Sequence, residues 1–498
     1  MFGARSSRRL IILLTMLGTG IGGIAVPSMA QMGMGIERSI TSNAVQQAVE
    51  SARDKSRKSS GGAGKESKSG TKTVPAEKKP VQAMKKERKE DRKPAGGAPQ
   101  QATRNPSGVP PAGERRYVPN EVVVEVANTM TSQQIDALAQ RFRLTNIETF
   151  NFQLGGTTLL RLRIPDGRSV TTVVRAIETD ASVLFVQPNY LYALIEQKTA
   201  GAPSGSGEGD PAQYMLEKMR LREAHQLARG NKVLVAVIDS GIDVVHPDLA
   251  GDIADTYDAI GSDVGVQVHP HGTAIAGGIA AHGRLLGVAP GAQILAVRAF
   301  AGSGRAENGT SFAIMKGLDW AVLRGARAIN MSFSGPKDPG VTRGIAAAYA
   351  RNTIMIAAAG NKGANSPPLF PAADRNVIAV TSTDKDDRLP AFANRGPHVA
   401  VAAPGVDLIL LAPNDSLQKM SGTSFSAAYV TGTVALMLER KPGLSPDAAR
   451  EALMKSARRL GANPEQSGGG LVDAYQAILA VGPAEASETI ATPAATRQ

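Results

Sequence analysis

Four polar residues of this 498-residue chain stand where chemistry could be done. They are Asp239 in VIDSGID (237–243), His271 in HPHGTAIAGGIAAHG (269–283), Asn361 in IMIAAAGNKG (354–363) and Ser424 in SGTSFSAAYVTG (421–432). A serine hydroxyl is a poor nucleophile until a base takes its proton. Histidine is the usual base, a carboxylate can hold its tautomer, and an amide N–H can stabilise a developing oxyanion. Taken singly, each has an ordinary use. Asp239 could be a turn or capping residue, His271 (or its neighbour His269) a structural histidine, Asn361 half of a Gly-Asn turn, and Ser424 a helix cap. As a set they offer acyl transfer.

Such residues work only if a scaffold presents them together. In open α/β sheets, ligands bind beyond the carboxyl ends of the strands. VLVAVI (233–238) is a continuous apolar run, the mark of a strand buried on both faces of a parallel sheet, and ILAVRAF, ARAINMSF, TIMIAAAG and NVIAVTS repeat it. Helical patterns such as SFAIMKGLDWAVLRG (311–325) and VTRGIAAAYARN (341–352) lie between them. SPDAAREALMKSARRL begins with Ser445 as N-cap and Pro446 in the first helical position. Residues 212–480 therefore read as an α/β domain with a doubly wound, mostly parallel sheet.

Ahead of it, 117–195 has a different rhythm. EVVVEV alternates as a strand does, SQQIDALAQRF and SVTTVVRAIE carry helical spacing, and NIETFNFQ and TTLLRLRI form a pair around Gly155-Gly156. VLFVQPNY (183–190) closes the unit as a strand expected to stop at Pro188. The order β-α-β-β-α-β is that of a small ferredoxin-like α+β module. It contains no histidine, so acid–base chemistry is not expected there. Residues 196–211, with AGAPSGSGEGDP, read as a flexible joint.

The remaining segments set the compartment. Arg5, Arg8 and Arg9 precede an uncharged apolar stretch at 10–26, and Ser28-Met29-Ala30 supplies small residues for cleavage after Ala30. A cleavable signal peptide (1–30) and a secreted or periplasmic protein are expected, the alternative being an uncleaved membrane anchor. Residues 31–116 are rich in Lys, Ser, Gly, Pro and Ala, a composition that cannot offset its chain entropy, so a disordered basic linker is expected, as is a disordered tail at 481–498. The net charge of +12 sits in the leader and linker; 117–498 holds 34 basic against 35 acidic residues. A nucleic-acid partner is therefore not expected, although the linker could touch an anionic cell envelope. With no cysteine, thiol nucleophiles, disulfides and thiolate zinc sites are excluded.

Asp, His, Asn and Ser occur in the chain order known from subtilisin, with 32 residues from Asp239 to His271 and 153 from His271 to Ser424. The chain resembles a subtilisin-like serine protease (a subtilase) through VIDSGID, HGTAIAG, GVAPGAQILAVRAF, INMS, AAAGN, SGTS and GGGLVDAYQA, across roughly 210–480. Residues 117–195 resemble the family's inhibitory, chaperone-like propeptide. The resemblance implies a secreted serine endopeptidase made as a self-processed precursor and acting on polypeptides. Its catalytic residues would be Asp239, His271 and Ser424, with Asn361 in the oxyanion hole. Ser332, Phe333, Ser334, Ala358, Ala359 and Gly360 would flank the substrate, and the propeptide would inhibit in cis.

Four residues depart from the family pattern. Phe425, Ser426 and Ala428 replace Met, Ala and Pro after the nucleophile, and Ser334 replaces a glycine. Asp248 matches a family calcium ligand, but only AAHGRLLG (280–287) stands where a longer Asn-rich loop would hold the ion, so no cofactor is expected. The departures keep a second reading open, a catalytically impaired subtilase fold that binds peptides. A third reading, nucleotide binding by an α/β fold, is weak, since no Gly-x-Gly-x-x-Gly follows VLVAVI and no phosphate loop with Lys-Ser/Thr is present.

Overall fold

The structure is a computed structural model that describes residues 107–195, 197–198, 213–261, 267–301, 308–461 and 463–482. The expected signal peptide, the linker up to 106, most of the joint and the tail from 483 lie outside the described residues.

The N-terminal unit is built from β1 (Tyr117–Ala127), α1 (Ser132–Arg141), β2 (Thr145–Phe152), β3 (Thr157–Arg163), α2 (Val170–Ile177) and β4 (Val183–Leu194). A capping box of Thr131 and Gln134 starts α1, and the Ser169 hydroxyl caps α2. The strands pair antiparallel in the order β2-β3-β1-β4, as the ferredoxin-like reading requires. Because side chains alternate across a strand, β1 serves two cores. Val122, Val124 and Val126 pack under α1 and α2, while Val123 joins Phe152, Leu159 and Tyr190 in a core shared with the second domain. Order begins before Tyr117: the Gly108 N–H donates to Glu178 Oε1 at 2.6 Å, and the Leu191 N–H to the Arg116 carbonyl at 2.9 Å.

One sequence expectation is corrected here. β4 does not stop at Pro188 but runs on to Leu194. Proline removes one ladder donor, and the β1–β4 register shifts between Val122↔Pro188 and Tyr117↔Tyr190. Past that irregularity the strand finds new edges in the second domain. It pairs antiparallel with β10 (Asn308–Thr310) through Leu191, Tyr192 and Ala193, and with β12 (Phe333–Ser334) through Ala193 and Leu194. β10 in turn pairs with β9 (Phe300–Ala301).

The second domain is a parallel sheet in the order β15-β14-β13-β11-β6-β8-β7. Its strands are β6 (Leu234–Asp239), β7 (Ile253–Asp258), β8 (Gln293–Arg298), β11 (Ala328–Met331), β13 (Ile354–Ala358), β14 (Val377–Thr383) and β15 (Val399–Pro404). Alternate residues feed opposite layers. Val235 and Val237 face a core with α3 (Pro270–Ala280) and α6 (Thr423–Arg440); Ala236 and Ile238 face α4 (Ser311–Leu323) and α5 (Pro339–Ala350). The chain leaves β6 in one direction towards β8 and β7 and returns on its other side at β11, so Asp239 ends the strand at the switch point of the winding. Residues 423–438 of α6 are all buried, as expected of a helix without a polar face. A small sheet of β16 (Leu408–Ala412), β17 (Ser416–Ser421) and β5 (Gln197–Lys198) completes the described architecture.

Candidate active site

Asp239 and His271 are both fully buried, and His271 Nδ1 lies 2.8 Å from Asp239 Oδ1. The same oxygen accepts from the Ser240 N–H at 2.7 Å and the Ser240 hydroxyl at 3.0 Å. Ser240 Oγ also accepts the Gly272 N–H at 3.1 Å, tying the end of β6 to the start of α3. Pro270 opens α3, and His269 is its N-cap, with Nδ1 accepting the His271 N–H at 3.2 Å. The rival histidine therefore holds the helix start, whereas His271 meets the carboxylate.

Ser424 is the second residue of α6 and is also fully buried. Its hydroxyl donates to the main-chain carbonyl of Ile195, just past β4, and the Ser332 carbonyl lies at 3.4 Å. The Ile195 N–H donates to the Ser332 carbonyl at 3.3 Å. Beyond the nucleophile, Gln197 and Lys198 pair with Ser421 and Met420 of β17. The polypeptide thus crosses Ser424 as an added strand with backbone pairing on both sides, the geometry of a bound peptide.

Asn361 sits beside this carbonyl. Its Oδ1 accepts the Thr423 N–H at 3.1 Å and the Thr423 hydroxyl at 3.0 Å, which fixes the amide so that Nδ2 is the end left to donate. Nδ2 is buried without a partner among the described residues. A Cβ at position 422 would fall 3.1 Å from that nitrogen and 3.3 Å from the Ile195 oxygen, so both atoms border the space that Gly422 leaves open.

The expected substrate-flanking residues divide. Ser332, Phe333 and Ser334 pair with Ile195, Leu194 and Ala193, the tail of the N-terminal unit. Ala359 and Gly360 bond to Val380, Asn394 and Thr423 instead, and Ala358 ends β13; these three carry Asn361 into place. Ser240, Thr423 and Ile195 were not singled out from sequence. Ser240 adjoins a motif residue, but nothing in the type of Ile195 marks its carbonyl as a partner of Ser424.

The sequence profile of the subtilase family matches residues 230–474. Thermitase of Thermoactinomyces vulgaris is 34% identical over 272 residues, 53% of this chain and 95% of thermitase. The chain belongs to the subtilase family. Membership makes it a serine endopeptidase with polypeptide substrates. A thermophilic serine proteinase of Bacillus sp. (strain AK1) is 30% identical over 370 residues, 73% of this subtilase and 88% of that protein. Residues 103–189 match the fervidolysin N-terminal prodomain. The crystal structure of fervidolysin from Fervidobacterium pennivorans, a keratinolytic enzyme related to subtilisin, aligns with a TM-score of 0.62 over 74% of this chain and 62% of that one, at 24% identity; it is similar in fold.

The prodomain of this subtilase is held by more than its tail. Gln187 Nε2 donates to Asp338 Oδ1 at 2.7 Å, the Tyr190 N–H to Ser311 Oγ at 2.9 Å, and the Leu154 N–H to Asp319 Oδ1 at 2.6 Å. Asn189 Oδ1 accepts the Phe312 N–H at 3.2 Å, and ion pairs join Glu148 to Lys316 and Glu125 to Arg343. The departures from the family pattern are accommodated. Ala428 is buried within an unbroken α6 and lies against Gly278 of α3. Ser426 Oγ is bonded to Ser382 Oγ at 2.9 Å, and Phe425 lies 5.8 Å, centroid to centroid, from the His271 ring. Ser334 meets the tail through its backbone pairing with Ala193.

Among the described residues, His246, Asp248 and Asp415 bring three ligand atoms within 4.8 Å of one another. Arg284, from the short loop after α3, pairs with Asp248 at 3.4 Å and with Asp415 at 2.5 Å, so a guanidinium already balances both carboxylates. Among the described residues no helix is long and apolar enough to cross a membrane.

Proposed function

We propose that this subtilase is a secreted endopeptidase that works through Asp239, His271 and Ser424 and matures by cutting its own chain after Ile195. His271 takes the Ser424 proton as Oγ bonds to the carbonyl carbon. Asp239 holds the imidazole tautomer and stabilises the imidazolium. The oxyanion is received by Asn361 Nδ2 and the Ser424 N–H at the start of α6. As the C–N bond breaks, His271 returns the proton to the leaving amine. Water then attacks the acyl-Ser424 ester, with His271 again taking and returning a proton. The supporting observation is the Ile195 carbonyl lying against the Ser424 hydroxyl, with the chain strand-paired on both sides.

In the precursor the tail blocks the cleft, so activity on other chains requires the prodomain to leave. The N-terminal leader supports secretion. Ser424→Ala is expected to abolish both peptide hydrolysis and self-processing, while the wild-type chain yields a new N-terminus at Glu196. N-terminal sequencing and a fluorogenic peptide assay check both. Cleavage by the alanine variant would sink the assignment, and a new terminus elsewhere would sink the Ile195 site.

A further inference from the structure

We propose that Thr431 is a positioning residue: through Asn330 and Ser332 it sets where the nucleophile Ser424 stands against the chain to be cut. The inference rests on the reading that Ser424 attacks a main chain held by Ser332, and it adds a residue to that site. Ser332, just past β11, meets both parties. Its carbonyl accepts the Ile195 N–H at 3.3 Å, and its hydroxyl lies 3.1 Å from the Ser424 carbonyl and 2.8 Å from Asn330 Oδ1. Asn330 Nδ2 donates to Thr431 Oγ1 at 3.1 Å. The Thr431 hydroxyl donates to the Ala427 carbonyl, one turn back on α6, at 2.8 Å. A relay of side chains thus joins the end of β11 to the helix that carries Ser424.

The relay has one polarity. The Thr431 hydroxyl has a single proton and the Ala427 carbonyl takes it, so Oγ1 meets Asn330 as an acceptor. Only the Nδ2 end of the amide can answer it, which turns Oδ1 towards Ser332. Oδ1 cannot donate, so the Ser332 hydroxyl shares its proton between Oδ1 and the Ser424 carbonyl. Asn330, Ser332 and Thr431 are all fully buried, where an unmet polar atom is costly, so this order is held. None of these side-chain bonds involves the prodomain, so the relay outlasts its departure. Without the Thr431 hydroxyl the amide loses the partner that orients it. It can then turn Nδ2 to Ser332, whose proton passes wholly to the Ser424 carbonyl. The pull on the first turn of α6 changes, and with it the line from Ser424 Oγ to the carbon it attacks.

The test compares the self-processed wild type, Thr431→Val and Thr431→Ser on a fluorogenic peptide, with active sites counted by a fluorophosphonate. Valine keeps the branched shape and loses the hydroxyl; serine keeps the hydroxyl and loses the methyl. Thr431→Val is expected to lower kcat about tenfold with KM within about twofold of wild type, because misplaced reacting atoms cost rate rather than binding. Thr431→Ser is expected to hold kcat within about twofold of wild type. An undiminished kcat in Thr431→Val would overturn the proposal, and so would a rise in KM alone. Equal losses in both variants would overturn it as well, since the methyl would then be the group that matters. If Thr431→Val does not fold, Ser332→Ala removes the other end of the relay. The same loss of kcat at unchanged KM is expected there, and an unaltered kcat would overturn the proposal. Where both fold, the double variant should be no slower than the slower single one, as members of one chain are not additive. A wild type that cuts no peptide would instead sink the reading of Ser424 on which the inference rests.

Discussion

The half-buried amide of Asn361 has one end committed and the other open. Thr423 occupies its oxygen, leaving Nδ2 beside the Ile195 carbonyl. Such a donor gains most when the carbonyl becomes an oxyanion, so Asn361→Ala is expected to lower kcat about 10²–10³-fold with little change in KM, a loss known for this kind of donor in subtilisin itself. Steady-state kinetics check it, and a KM rise with kcat intact would contradict it. Asp239, His271, Asn361 and Ser424 could be nominated from the sequence because the proposed chemistry needs those side-chain types and each lies in a glycine-rich stretch. Ile195 was not, since its contribution is a main-chain carbonyl that every residue possesses. His225 carries a separate prediction. Burial lowers its pKa, Arg229 adds to that, and the bond to the Val288 carbonyl at 2.9 Å opposes it. The unfolded chain therefore takes up the proton first as pH falls through about 6.5, so the stability His225 contributes is present above that pH and lost below it. In a Ser424→Ala background, His225→Gln should show a smaller drop in melting temperature from about pH 7.5 to pH 5 than its parent.

Elements carry signals of a different kind. The alternation EVVVEV announced β1, and the structure uses both of its faces, one for the prodomain helices and one for the shared core. Pro188 misled because a proline reads as a strand end within its own sheet, whereas β4 is completed by β10 and β12 from another domain. No local pattern contains a partner over 100 residues away. The loop after α3 is also resolved only in three dimensions, where Arg284 lies between Asp248 and Asp415. A chelator is expected to leave the melting temperature of the Ser424→Ala protein unchanged. Arg284→Ala should cost roughly 1 kcal/mol, because Asp415 is largely exposed and the pairing is screened. That variant should also recover on adding calcium; calorimetry with and without the ion decides. A melting temperature of the Ser424→Ala protein that falls with chelator would count against the guanidinium as the balancing charge.

For the molecule as a whole, cutting after Ile195 does not by itself free the cleft. The bonds of Gln187, Tyr190, Asn189 and Leu154 to the second domain, with the Glu148–Lys316 and Glu125–Arg343 pairs, all lie upstream of the cut and survive it. Activity on an added peptide is therefore expected to lag behind disappearance of the precursor band. Lys316→Ala, which removes the partner of Glu148 and the cation near the Phe150 ring, should shorten that lag. Parallel electrophoresis and fluorescence time courses test this, and coincident curves would refute it. The strand that crosses Ser424 also has a kinetic consequence. Because the tail is covalently part of the enzyme proposed to cut it, the two would never have to find each other in solution. Maturation would then be first order in protein, with a half-life that dilution does not lengthen. A molecule released alone into a large volume would mature as fast as one in a crowd.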